Sequence, residues 1–314
     1  MTDMLPVSGH PPRPARRFGC VVLLATTMAT AWGCAFVKRK AVGMVANTLA
    51  SGGDTFTRDD DPELIGQALP FALKLYESLL DSSPTNRTLL VATCAAFTQY
   101  GYGFVQAEAE KAEFTNHDDG KRLQGRAFRL LQRGKGYCFR ALELRFPGIG
   151  PKLIQDPTPA LVKAKRDDVE LLYWSAASWG AAIGLQVDLA IDLPSVRALA
   201  ERALALDETW HKGALHELMI TMESQGELVG GSEERARKHF ARAVELQQGL
   251  SPGPYLALAM GLSVGAQNRA EFEKLMAQAL AIAPGKDPSN RLVIMLAQAR
   301  AQVQLDHIDT LFAK

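Results

Sequence analysis

A short phrase that recurs four times places the strongest constraint on how this chain can fold. It reads RALEL at 140–144, RALAL at 202–206, RAVEL at 242–246 and QALAI at 278–282, and each copy precedes a turn with Pro, Gly or acidic residues. A small alanine lets one helix approach another, the leucines fill the groove between them, and the turn reverses the chain. The phrase therefore predicts helical hairpins that build a core by stacking.

The spacing of these copies indicates the kind of repeat. The alanine stands at positions 141, 203, 243 and 279, so successive copies lie 62, 40 and 36 residues apart. The last two distances are near the tetratricopeptide period of about 34, and the first is close to two such units. Apolar positions recur at helical spacing without a convincing strand pattern. We therefore predict an all-α fold of helical hairpin repeats that form an irregular tetratricopeptide-like superhelix.

Proline, glycine and acidic turns divide the sequence into helix-length segments. The predicted helices are 62–80, 86–114, 120–146, 168–185, 194–206, 208–223, 232–246, 252–264, 269–282 and 288–311. A further helix is expected at 35–51, followed by a loop that ends at Asp61-Pro62.

The N-terminus carries the pattern of an export signal. Arg16 and Arg17 precede an apolar run at 18–33 that is too short to cross a membrane comfortably and suits a signal core. Cys34 follows directly, which resembles the bacterial lipoprotein signal and predicts acylation of Cys34. An uncleaved signal anchor and ordinary signal cleavage stay open as alternatives. We expect a signal peptide at 1–33, an anchor-proximal helix and linker at 34–61, and a tetratricopeptide-like helical domain at 62–314.

Charge and cysteine content limit the function classes. The formal net charge is +1, and such near-neutrality argues against a nucleic-acid partner. The four cysteines contain no CxxC and fit no zinc pattern. Because Cys94 and Cys138 lie in apolar helical surroundings, we favour two buried thiols. A disulfide between them stays open if the protein is exported.

Four longer phrases carry a family resemblance. They are PFALKLYESLL at 70–80, TQYGYGFVQ at 98–106, LYWSAASWG at 172–180 and GPYLALA at 253–259. Together with the signal and Cys34, they resemble the tetratricopeptide lipoproteins associated with tripartite ATP-independent periplasmic (TRAP) transporters, the T-component family. The resemblance covers roughly residues 60–310.

The resemblance implies a periplasmic, membrane-anchored helical protein that associates with the solute-binding subunit of a TRAP transporter. It further implies cryptic repeats around a central cavity or pore that holds or passes a hydrophobic or carboxylated ligand. Self-association into a homo-oligomer stays open.

Two glycine-containing aromatic segments are the candidate walls of that cavity. The first holds Tyr100, Tyr102 and Phe104, and because Tyr100 and Phe104 are four residues apart they share a helix face. The second, which we expect to face the first, holds three aromatic residues followed by glycines. These are Tyr173, Trp174 and Trp179. Tight packing of aromatic core residues is the competing interpretation for both segments.

Motifs for catalysis and metal binding are missing from the sequence. His211 and His216 are five residues apart and fall on different helix faces, so we expect a packed or hydrogen-bonded histidine rather than a metal site, with Glu217 directed away. No phosphate loop, GxGxxG or GxSxG is present. We expect no cofactor and no enzymatic activity.

Two functional hypotheses follow. The preferred one is a lipid-anchored periplasmic accessory component that docks a solute-binding subunit and holds a small hydrophobic or amphipathic ligand. The alternative is a general scaffold for protein assembly in the cell envelope, without ligand binding.

Overall fold

A computed structural model describes residues 54–313, and within this range the secondary structure is helical, without strands. The α-helices are α1 Asp54–Thr57, α2 Pro62–Ser82, α3 Arg87–Gln99, α4 Ala107–Glu113, α5 His117–Arg145, α6 Ile149–Gln155, α7 Pro157–Ala160, α8 Val169–Leu185, α9 Leu193–Leu206, α10 Ala214–Glu223, α11 Glu233–Leu246, α12 Gly253–Leu258, α13 Arg269–Leu280 and α14 Arg291–Asp306. Two π-helical segments, π1 Tyr100–Gln106 and π2 Ala259–Ser263, continue α3 and α12.

Side-chain caps explain where several helices begin. The Asp61 carboxylate accepts a hydrogen bond from the Leu64 amide at 2.9 Å, and Pro62 occupies the first turn of α2. Asn86 and Asn268 cap α3 and α13 in the same way. Each cap satisfies an amide that the helix itself leaves without a partner. The predicted helix start at Asp61-Pro62 is confirmed.

One predicted helix, 208–223, is wrong at its beginning. Helix α10 begins only at Ala214, after a short 3₁₀ turn. His211, Lys212 and Gly213 have φ angles of 43°, 56° and 86°, so they lie in the left-handed region and break the helix. The short helices α1, α6 and α7 were not predicted either, and α1 lies in the segment that was expected to be a loop.

The alanines of the repeated phrase lie at the helix contacts. Ala141, Ala203, Ala243 and Ala279 are each 0% exposed. Small side chains at these crossings let neighbouring helices pack closely, which is the role that the sequence predicted for them.

The helices pack in an order that returns to its start. Neighbouring contacts run from α2 through α3, α5, α8, α9, α10, α12 and α13 to α14. Helix α14 then contacts α1, α2 and π1. At this seam Arg291 pairs with Asp60 at 3.1 Å, and the rings of His307 and Phe114 stack with centroids 4.0 Å apart. The last long helix therefore joins the first ones.

Cys94 and Cys138 form a disulfide, so the preferred expectation of two buried thiols is wrong. The bond joins α3 to α5 inside the largest apolar core, with the two Cα atoms 5.4 Å apart. Gly134 explains this proximity, because a Cβ at that position would lie 3.0 Å from Thr98 Oγ1 and 3.2 Å from the Cys94 carbonyl oxygen. The two backbones therefore approach within disulfide range.

Several predictions concern residues that the structure does not describe. Cys34, the signal at 1–33 and the helix at 35–51 lie outside the described residues. Among the helices that are described, none is long and apolar enough to cross a membrane.

Candidate functional site

The π1 segment interrupts a helix that otherwise runs from Arg87 to Glu113. Its two glycines face neighbouring helices: a Cβ on Gly101 would lie 3.3 Å from Leu130 Cβ in α5, and one on Gly103 would lie 3.9 Å from Leu296 Cδ1 in α14. Gly101 thus allows a close approach of α5, whereas a Cβ on Gly103 would make only ordinary van der Waals contact with α14. A π-helical turn inside an α-helix is common at functional sites, because it reorients the side chains it carries.

The three aromatic residues of π1 point to two different environments. Tyr100 is buried, its ring lies 6.0 Å from that of Phe104, and its hydroxyl accepts a hydrogen bond from Arg126 at 3.0 Å. Phe104 packs over Gly66 of α2. Tyr102 is 45% exposed and lies under the Arg300 guanidinium, 4.7 Å from the ring centroid.

The aromatic residues of α8 also separate. Trp179 is 1% exposed, packs edge-on against Phe139, and donates its indole N–H to Asp192 at 3.1 Å. This environment is that of a core residue. Tyr173 and Trp174 are only partly buried, with ring centroids 5.0 Å apart. The Trp210 ring joins them, 4.6 Å from Tyr173.

Side chains from five elements meet in what we call the interior cluster: Tyr102 from π1, Glu110 from α4, Tyr173 from α8, Glu217 from α10 and Arg300 from α14. Arg300 donates to both Glu110 oxygens, at 2.6 Å through Nε, and lies over Tyr102. Tyr173 in turn interacts electrostatically with Glu217 and Tyr102. The cluster thus links the seam at α14 with α8 and α10.

Three members of the interior cluster lie deep in the protein while keeping partial exposure of their surfaces. They are Tyr173, Glu217 and Arg300. Burial, with the neighbouring Glu217 and Tyr102, raises the pKa of Tyr173 above its usual value. Burial lowers the pKa of Arg300, but Tyr102 and Glu110 outweigh this and raise it overall. Arg300 is therefore a fixed cation whose charge Glu110 balances.

Glu217 sits in a tight backbone environment. A Cβ on Gly253, the first residue of α12, would lie 2.2 Å from Glu217 Oε1, so any other residue there would force this carboxyl group to move. Burial raises the pKa of Glu217 to about 7, and a hydrogen bond from Gln247 offsets part of that rise. Glu217 is therefore balanced between its neutral and charged forms near neutral pH.

His216 is packed and hydrogen-bonded, as the sequence analysis expected. His216 is 6% exposed, and its Nδ1 lies 2.8 Å from Nδ1 of His239, whereas His211 is exposed. Burial lowers the pKa of both His216 and His239. Within the described part of the chain, no group of three or more His, Cys, Asp or Glu side chains is arranged to hold a metal ion.

Sequence reasoning missed four residues of this region: Glu110, Trp210, Gln247 and Arg300. It named Glu217 only beside the histidines and expected it to point away from them, which it does. The available signal was the isolation of Glu217 as the only acidic residue in the apolar run ALHELMITM at 214–222. Trp210 and Arg300 had no local signal, because their neighbours are distant in sequence.

Two comparisons place this chain among known proteins. The family model of the TRAP transporter T-component matches residues 58–312. An uncharacterized protein of Treponema pallidum (strain Nichols) is 30% identical over 316 residues, an alignment that covers 93% of this chain and 97% of that protein. The matched range includes every helix from α2 to α14 and the whole interior cluster.

Proposed function

The chain belongs to the TRAP transporter T-component family, and from this premise we propose that it is a lipid-anchored, periplasmic, non-enzymatic accessory component of a TRAP system. It docks the solute-binding subunit of the transporter and holds a small hydrophobic or amphipathic ligand in its interior. The observation that carries the proposal is the family match, which spans 58–312 and so includes nearly all of the described helices.

The proposed interior space is a water-accessible cavity enclosed by the circuit of helices. Its support is the contact of α14 with α1, α2 and π1, together with the deep but partly exposed side chains of the interior cluster. A deep side chain retains accessible surface when it borders internal space rather than close-packed atoms. Tyr102, Tyr173 and Trp174 then supply aromatic walls with polar tips, which suit an amphipathic ligand.

The proposed location rests on the Cys94–Cys138 disulfide and on the N-terminal sequence. Disulfides persist in oxidising compartments such as the bacterial periplasm and are rare in the cytosol. Acylation of Cys34 would hold the chain at a membrane surface and raise its effective concentration near the transporter. Mass spectrometry of the mature N-terminus tests this: we expect an acylated Cys34 in wild type and in Cys20→Ser. An unmodified N-terminus upstream of residue 34 would contradict the anchor.

Docking is tested by affinity capture after crosslinking in intact cells. We expect the tagged chain to recover the TRAP solute-binding subunit. The Cys34→Ser variant should leave the membrane fraction yet capture that subunit once both are purified and mixed. If neither form binds the subunit, the docking proposal fails. The alternative hypothesis, a general scaffold for protein assembly in the cell envelope, then gains support.

Ligand holding has a separate test. Native mass spectrometry of the purified chain should show a small molecule that leaves on denaturation. A chain that is empty in every preparation and binds no amphiphile would contradict the ligand part of the proposal, while docking could still hold.

A further inference from the structure

Glu217 and Gln247 bring hydrogen-bond acceptors together without enough donors. Gln247 donates a side-chain hydrogen bond to Glu217, and its own Oε1 finds no hydrogen-bond partner among the described residues, although Gln247 is only 8% exposed. A buried acceptor without a partner is unfavourable, and most such groups in native proteins are satisfied. The group that would satisfy Gln247 Oε1 is therefore a hydrogen-bond donor, and the Glu217 carboxylate beside it is a second acceptor for such a donor.

The charge at this position is also uncompensated. None of the ion pairs formed by the described residues includes Glu217, and Arg300, the cation of the interior cluster, is held by Glu110 through both carboxylate oxygens. A buried carboxylate is stabilised by a nearby opposite charge and destabilised by a like one. An anionic headgroup would thus be repelled by Glu217, and a cationic one attracted.

Aromatic rings adjoin the same carboxylate. Tyr173 interacts electrostatically with Glu217, and the ring centroids of Trp174 and Trp210 lie 5.0 Å and 4.6 Å from the centroid of the Tyr173 ring. The faces of Trp and Tyr rings attract ammonium groups and also bind alkyl chains. A carboxylate beside several aromatic rings is the chemistry that recognises an amine with an apolar tail.

We propose that Glu217 and Gln247, together with Tyr173, Trp174 and Trp210, form a binding site for the ammonium group of a small amphipathic amine. This inference rests on the proposed function in one respect, since it requires that the interior can hold a ligand. Glu217 and the Gln247 Oε1 atom accept hydrogen bonds from the ammonium group, and the rings surround the carbon atoms next to it.

The position of the Glu217 carboxylate depends on the absence of a side chain at Gly253. Because a Cβ there would lie 2.2 Å from Glu217 Oε1, Gly253→Ala displaces the carboxylate from the place where it meets Gln247. Gly265 lies in the helical stretch that continues α12 beyond π2, and a Cβ on it would meet no atom within 4 Å. Gly265→Ala is therefore a matched control for the same helix.

The proton on Glu217 couples to binding. The ammonium group needs the charged carboxylate, whose pKa in the free protein is about 7, so affinity for an amine should rise about tenfold for each pH unit well below 7 and level off above it. Tyr173, the other titratable group that faces Glu217, has a raised pKa and stays protonated through this range. His216 precedes Glu217 in the sequence but bonds to His239 of α11.

The experiment compares three probes that share one alkyl chain: hexylammonium, hexanoate and hexanol. Binding to the full-length chain in lipid nanodiscs is measured by isothermal titration calorimetry, with empty nanodiscs as the baseline. We expect hexylammonium to bind more tightly than hexanoate at pH 8. Glu217→Gln should weaken hexylammonium at least tenfold, abolish its pH dependence and leave hexanol unchanged, which shows that the variant is folded.

Gly253→Ala should weaken hexylammonium in the same direction, and Gly265→Ala should not. Tighter binding of hexanoate, or an unchanged affinity for hexylammonium in Glu217→Gln, would overturn the inference while the ligand-holding function stands. If none of the three probes binds, the inference and the ligand part of the proposed function both fail.

Discussion

Removing the Cys94–Cys138 disulfide should cost a large share of this protein's stability. The bond closes a loop with a sequence separation of 44 residues. In the chain-entropy description, such a loop restricts the unfolded state by about 4 kcal/mol at 25 °C. Domains are commonly stable by only about 5–15 kcal/mol, so the loss is substantial. It corresponds to a drop in melting temperature of roughly 8–16 °C.

The assay is equilibrium urea unfolding followed by circular dichroism, on chain expressed without its first 34 residues. This removes Cys20 and Cys34, so that Cys94 and Cys138 are the only cysteines left. We expect the oxidised protein to unfold at a higher urea concentration than either the reduced protein or Cys94→Ala/Cys138→Ala. The double variant serves as the control, because reductant should not change its transition.

Two results would refute this reasoning. One is a pair of titratable free thiols in the folded, unreduced protein, which would mean that the bond does not form. The other is a coincident unfolding transition for oxidised and reduced protein, which would mean that the cross-link does not raise the free energy of unfolding.

Further predictions concern two glycines, a histidine pair and the seam, all measured by urea unfolding. Gly134→Ala should destabilise the fold by about 1–3 kcal/mol, since its Cβ would lie 3.0 Å from Thr98 Oγ1. Gly136→Ala in the same helix meets no atom within 4 Å and should stabilise the fold by about 0.5–1 kcal/mol. Equal effects of the two substitutions would contradict the close approach of α3 and α5. Burial lowers the folded-state pKa of His216 and His239, so the unfolded chain binds more protons and the free energy of unfolding should fall as the pH drops below about 6.5. If His239→Gln leaves this dependence of stability on pH unchanged, the histidine pair is not its cause. Arg300→Met leaves Glu110 without its cation and should cost about 1–3 kcal/mol, and an unaltered unfolding midpoint would show that this pair does not stabilise the seam.

Local sequence determined most helix positions. Pro62 and the capping side chains of Asp61, Asn86 and Asn268 act within three residues, so the chain carries its own start signals. The delayed start of α10 could not be read in this way. His211 and Lys212 are exposed and adopt positive φ angles that their residue types do not announce, and the Asp287 partner of Lys212 is distant in sequence.

Helical periodicity predicted faces but not neighbours. It grouped Tyr100 with Phe104 and set Tyr102 apart, as the structure shows. It could not say that the Tyr102 face would meet α14, because Arg300 is about 200 residues away and reaches Tyr102 only through closure of the circuit. The sequence left the disulfide open as the less favoured alternative and could not decide for a similar reason, since the approach of α3 to α5 depends on Gly134 rather than on cysteine spacing.

The disulfide and the polar interior are linked through stability. Gln106 and Gln247 each keep a side-chain oxygen without a hydrogen-bond partner among the described residues, at a cost of roughly 1–3 kcal/mol apiece. Glu217, a partly buried carboxylate outside the ion pairs of the described residues, adds to this cost, which is then a sizeable fraction of the about 5–15 kcal/mol by which domains are commonly stable. A fold can keep such groups only if other contacts offset them, and about 4 kcal/mol from one cross-link is of the right size. An amine that satisfied Glu217 and Gln247 would stabilise the folded state by mass action, by the same free energy in the oxidised and the reduced protein. That free energy would be a larger fraction of the reduced protein's smaller stability.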